Sequence, residues 1–192
     1  MNVYCLLGVL ASILTSTIND KHVLYHRTGE SEKEIIWSKD RKLAWKDFKG
    51  TKKPVDGTDV AAVTRCGLGM STNRVTGHNK PIFYVQATFY CNESWYRKDM
   101  PMTDEILEHE QGHFDLCEVY ARQLRKKLNG ANLNAHNLSK EANAIFNKVN
   151  DQYTERQKDY DKETRHGQER SVQQKWNDVI EEELAGLEEF SE

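Results

Sequence analysis

The chain has 192 residues, enough for one domain with a real core and few for two. Hydrophobic residues make up 38 % and charged residues 30 %, the balance of a polar chain with a modest interior. The formal net charge of -3 excludes the usual nucleic-acid binder, which needs a clustered excess of Lys and Arg to meet phosphates.

At the N-terminus, Tyr4 to Leu14 forms a short apolar run, followed at once by Thr15, Ser16, Thr17, Asn19, Asp20 and Lys21. About eleven apolar residues cannot cross a ~30 Å bilayer as a helix, but they match the hydrophobic part of an export signal. No Lys or Arg precedes the run. Residues 1–20 are read as a signal peptide, residues 21–180 as the domain, and 181–192 as an acidic, frayed tail. The expected location is secreted or periplasmic, without stable membrane insertion.

From about Glu34 to Cys91 the chain is rich in β-branched and aromatic residues, with turn signals at Lys53-Pro54, Asp56-Gly57 and Gly77. Several short strands are expected. Val60 to Cys66 and Ile82 to Cys91 form a hairpin around Gly77-His78-Asn79-Lys80-Pro81, with Phe83, Val85, Ala87, Phe89 and Cys91 on its inner face. A centre between His78 and Asn79 sets Cys66 opposite Cys91. The expectation is therefore a Cys66–Cys91 disulfide with Cys117 free, although a slipped register would undo it. Trp45 and Phe48 are expected to anchor the N-terminal segment to the core.

Thr103 to about Asn129 predicts one long helix. Thr103 caps it, Asp104 and Glu105 suit its positive end, Lys126 and Lys127 its negative end, and Gly130 supplies a left-handed stop. The basic residues between Arg122 and Lys127 are read as a solvated face. A second helix, Ser139 to Tyr160, carries Ala142, Ile145, Phe146, Val149, Tyr153 and Tyr160 at helical spacing. A third, shorter one carries Val172, Trp176, Val179 and Ile180. Strands first and helices afterwards give an α+β domain.

Within the first helix stands His109-Glu110-Gln111-Gly112-His113. Two histidines four residues apart project from one face with a gap suited to one metal ion, and neutral imidazole is a preferred zinc ligand. Glu110 lies beside them as general base. Zinc would lower the pKa of a bound water towards ~7, and the glutamate would take its proton during attack on a carbonyl. His-x-x-x-His also occurs on plain amphipathic helices; its place in a strong helix preceded by a strand favours the metal.

The run Leu107 to Leu116, continuing through Glu118-Val119-Tyr120-Ala121-Arg122, resembles an uncharacterised bacterial family of predicted secreted zinc-dependent proteases. So do Leu43 to Gly50, Ala61 to Thr64, Tyr160 to Gly167 and Gln174-Lys175-Trp176. The resemblance implies a zincin-like fold, with a small sheet packed on the motif helix and further helices after it. It also implies a zinc metallopeptidase acting on peptide or protein substrates.

A catalytic zinc needs a third protein ligand and an open position. Glu118 lies too far round the helix from His113, Cys117 is better placed but read as core, and Asp151 and Glu155 point away from the buried stripe. That leaves Asp159 to His166. His166 matches the histidine of the family's downstream motif and is the choice that the resemblance implies, with Glu163 as the fallback. A straight helix would overshoot the site before residue 166, so the chain must end its helix early or fold back. Tyr160 is read as core or as an oxyanion donor, Asp115 as a surface acid or as a support for a ligand histidine. His22, His26, His78 and His136 are read as bystanders. Two rival readings remain: an exported binding domain with a structural metal, and a zinc amidase acting on a cell-wall or small-molecule amide.

Overall fold

A computed structural model describes residues 33–51, 60–73 and 81–191. The apolar leader, the turn signals at 53–57, His22, His26 and the hairpin tip with His78 lie outside the described residues. Among the described residues no helix is long and apolar enough to cross a membrane.

The elements in chain order are β1 (Glu34–Ile36), a 3-10 turn (Trp45–Asp47), β2 (Ala62–Val63), β3 (Cys66–Asn73), β4 (Ile82–Tyr90) and β5 (Trp95–Tyr96). Then come α1 (Asp104–Gly130), α2 (Leu138–Thr164), α3 (Arg170–Gly186) and a closing 3-10 turn (Glu188–Phe190). The architecture is α+β, as expected. An antiparallel sheet ordered β1-β4-β3 packs on α1, while β2 and β5 pair separately. On β4 the buried residues Val85, Ala87 and Phe89 alternate with half-exposed ones, and buried Cys91 continues the inner face. Phe48 meets Phe89 edge-on at 5.1 Å, and Trp45 packs against Phe48 and Tyr96, so this segment is anchored as expected.

Strand boundaries and register differ from the expectation. The Val60–Cys66 run is split: Ala62–Val63 pairs with β5, and the hairpin strand only begins at Cys66. Cys66 stands opposite Phe89, two residues short of Cys91. A two-residue shift keeps every side chain on its face but separates the thiols, so Cys66, Cys91 and Cys117 are all free. The contact of Cys66 is with α1 and α2. Its sulfur lies 3.5 Å from the His113 carbonyl oxygen, 3.2 Å from the Tyr153 hydroxyl, and within hydrogen-bonding reach of Cys117.

The long helix α1 is the axis of the molecule. Thr103 caps it by accepting from the Ile106 N–H, a contact worth ~1 kcal/mol. Gly130 is its last helical residue; the chain leaves through Ala131 in extended conformation, so the expected left-handed stop is absent. Phe114, Cys117, Ala121, Leu124 and Leu128 face the sheet and α2 with Phe146, Val149 and Tyr153, whereas Leu116 and Val119 face Tyr160, Trp176 and Ile180. With three sides covered, α1 buries polar residues too. Arg122 and Arg125 are among them, which corrects the solvated-face reading. Both donate to Glu118 at 3.0 Å; Arg122 reaches the Leu184 carbonyl and Glu188, and Arg125 the carbonyls of Val85 and Phe190. These bonds dock the C-terminal segment that the sequence reads as frayed.

Candidate metal centre

Gly112, inside the His-x-x-x-His motif, sets the distance between α1 and α2. A Cβ there would stand 2.2 Å from the Tyr160 hydroxyl, so only glycine lets the ring lie across the helix. Tyr160 stacks on the His109 ring, 4.7 Å between centroids and 16° between planes, and donates its hydroxyl to the His109 carbonyl at 3.0 Å. This commits the hydroxyl to structure, so Tyr160 is core rather than an oxyanion donor. Burial raises its pKa far above the ordinary value.

One residue further on, Asp161 turns a carboxylate oxygen to both motif histidines. Its Oδ1 lies 3.2 Å from His109 Nε2 and 3.0 Å from His113 Nε2. Among the described residues, His109, His113 and Asp161 form a group of three metal-capable side chains whose donor atoms lie within 4.8 Å of one another. The far side of each ring is held by an amide: Gln173 Oε1 meets His109 Nδ1 at 3.1 Å, and Gln157 Oε1 meets His113 Nδ1.

The chain does fold back after α2, though the helix does not end early. Arg165, His166 and Gly167 all adopt positive φ, at 50°, 57° and 80°. This left-handed turn brings His166 Nδ1 to within 3.1 Å of Asp161 Oδ1. A Cβ on Gly167 would approach the His109 Cβ to 2.9 Å, so the start of α3 is also seated on the site. His166 thus reaches the centre through Asp161 and stands outside the group of three. Glu163 is exposed and accepts from Trp176 Nε1 at 2.9 Å, which takes the fallback residue out of the site.

Glu110 is buried, and its Oε2 has no hydrogen-bond partner. An orphaned buried carboxylate oxygen carries a desolvation cost that structures rarely leave unanswered. Its backbone is pinned by Thr64, whose hydroxyl donates to the Glu110 carbonyl at 3.2 Å. Asp115 supports neither histidine: it accepts from Trp37 Nε1, Gln111 Nε2 and Lys42, tying residues 37–42 to α1. Asp151, Glu155 and His136 are exposed, and Cys117 is buried core.

The electrostatics match a cation site. Burial by itself lowers the His113 imidazole, yet the Asp161 charge and hydrogen bond, with Glu110 nearby, push it up to about 10. Burial by itself raises Asp161, but the His113 charge and hydrogen bonds from all three imidazoles hold it far below the carboxylate range. A hydrogen bond to Asp161 raises His166. The centre is built to surround positive charge, whether protons or a metal. Two imidazoles and a carboxylate fit zinc in both donor type and number.

Asp161, Gln157 and Gln173 escaped the sequence reading. The first two carry a signal: Val149, Tyr153, Gln157, Tyr160 and Thr164 form one buried stripe on α2, and Asp161 borders it. Extending the apolar stripe through its polar members would have found them.

No curated protein and no solved structure matches the chain. A family model described as "bacterial protein of unknown function" (DUF922) matches residues 47–167, a span that holds His109, Glu110, His113, Asp161 and His166 and more than half of the sequence, and the chain belongs to that family.

Proposed function

We propose that this protein is an exported zinc-dependent hydrolase of the peptidase type. The observation that carries the reading is the convergence of His109 Nε2, His113 Nε2 and Asp161 Oδ1, with the buried, unpartnered Oε2 of Glu110 on the residue next to His109. His109, His113 and Asp161 would hold the ion, with Asp161 taking the place that the sequence gives to His166. Bound there, zinc supplies Lewis acidity, which acidifies water and polarises a carbonyl. Glu110 Oε2 takes the proton of the attacking water and returns it to the departing amine. Tyr160 and Gly112 set the separation of α1 and α2 at the centre.

The test is metal content together with turnover. Purified protein should carry about one zinc, removable by chelator, and should digest a casein-type substrate only when loaded. His109→Ala, His113→Ala and Asp161→Ala should each lose the metal, while His166→Ala keeps it. If His166→Ala loses zinc and Asp161→Ala does not, the third ligand moves to His166. Stoichiometric zinc in the His109→Ala/His113→Ala double variant would end the proposal.

A further inference from the structure

Each ligand histidine is tied to its own backbone through a glutamine. Gln157 donates Nε2–H to the His113 carbonyl at 2.9 Å, and its Oε1 meets Nδ1 of the same residue's ring. A backbone carbonyl can only accept, so the amide has one possible orientation, and the ring nitrogen facing Oε1 must carry a proton. The His109 circuit is longer and as fully determined. The His109 carbonyl accepts from the Tyr160 hydroxyl at 3.0 Å, so the hydroxyl oxygen is free to accept Gln173 Nε2–H at 2.6 Å. The other Gln173 Nε2 hydrogen goes to Asn177 Oδ1 at 2.8 Å, and Asn177 donates its own amide to Glu108 at 2.6 Å. Both ends of this chain are acceptors, which leaves Gln173 Oε1 pointing at His109 Nδ1, 3.1 Å away. Gln157 and Gln173 are themselves buried.

We infer that Gln157 and Gln173 are positioning residues that keep a proton on Nδ1 of His113 and His109 and turn Nε2 of both rings towards Asp161, so that Nε2 is the nitrogen an ion would take. Free histidine prefers its single proton on Nε2, the nitrogen that a metal needs here. The two circuits keep Nδ1 protonated, so that the proton an ion would displace is the Nε2 proton shared with Asp161, and they fix the planes of both rings. The inference rests on the zinc reading above for its purpose, though not for its geometry.

Four variants and one spectrum test it. Gln157→Met and Gln173→Met keep length and packing but remove the acceptor. Zinc affinity, measured by competition with a chromophoric chelator, should fall by ~10–100-fold in each. Gln157→Glu and Gln173→Glu keep an acceptor oxygen for Nδ1–H while losing the donated bond, so they should melt lower yet bind zinc at least as tightly as the parent. A merely structural role gives a different pattern: all four would melt lower with unchanged affinity. Met variants within twofold of the parent, or Glu variants as weak as Met variants, overturn the inference. Two-bond 1H–15N spectra of the chelator-treated parent, recorded at and above neutral pH, should show Nδ1 protonated in both rings. An unprotonated Nδ1 in either ring overturns the inference whether or not zinc binds. Absence of zinc binding by the parent would instead sink the hydrolase proposal and leave the spectrum to decide this one.

Discussion

Replacing Glu110 by Gln keeps the size of the side chain and removes its basicity. If Oε2 moves the proton, turnover should fall by ~10²–10⁴-fold while zinc content stays at the parent value. Full activity in that variant would remove the base from the mechanism. Gly112→Ala probes the contact that assembles the centre. The added Cβ would lie 2.2 Å from a buried hydroxyl that is hydrogen-bonded on both sides, so nothing can yield cheaply. Urea melts should show a loss of ~1–3 kcal/mol. Gly130→Ala is the control: nothing lies within 4 Å of its Cβ, and the exchange should be neutral or stabilising. The His113–Asp161 pair gives the metal-free protein a defined pH profile. His113 is raised to about 10, so its contribution is complete below its unfolded value of ~6.5 and is lost as pH climbs through 10. Asp161 is depressed, so its contribution is present above ~3.9 and fades as pH falls below that. Melting temperature in chelator should therefore peak between about pH 4 and 6.5 and decline towards pH 10. A profile that rises through the alkaline range would contradict the pairing.

At the scale of elements, the register of β3 on β4 decides the cysteine chemistry. Cys66 lies beside Cys117 and Tyr153, with Cys91 displaced by two positions along the opposite strand. The hydrogen bond from Cys117 helps lower the Cys66 pKa, whereas burial raises Cys117 and Cys91. Alkylation of the native protein should modify Cys66 first. After mild oxidation, non-reducing peptide maps should link Cys66 to Cys117. A Cys66–Cys91 link would show that the strand pairs in the other register. The same logic explains α2, whose buried stripe takes in the polar Gln157 and Thr164 on either side of Tyr160, with Asp161 at its border. The helix stays regular there because polar side chains satisfy the motif histidines and the following left-handed turn.

At the scale of the molecule, the C-terminal segment closes the fold on α1. Arg122 and Arg125 are buried, and part of their hydrogen bonding comes from Glu188 and the Phe190 carbonyl. Deleting residues 187–192 should cost about 1–3 kcal/mol, because it leaves buried guanidinium hydrogens without acceptors. Thermal melts of the truncated protein check this; an unchanged melting temperature would mean that Glu118 and the Val85 and Leu184 carbonyls suffice.

The sequence alone determined those features that local periodicity encodes. The three helices, the Thr103 cap, the inner face of β4 and the pairing of His109 with His113 all follow from spacings of two or 3.6 residues. The chain-specific logic of Glu110 beside two histidines was equally local. Long-range decisions were not legible. Cys66 could not be paired from strand patterns, because a two-residue shift preserves every face. The third donor could not be chosen among Asp161, Glu163 and His166. Their placement depends on how closely α2 approaches Gly112 and on a turn with three consecutive positive φ values, two of them at non-glycine residues. Burial of Arg122 and Arg125 was likewise hidden, since the carbonyls and carboxylate that accept from them come from β4 and the C-terminal segment. Periodicity assigns a side chain to a face; only packing decides what that face meets.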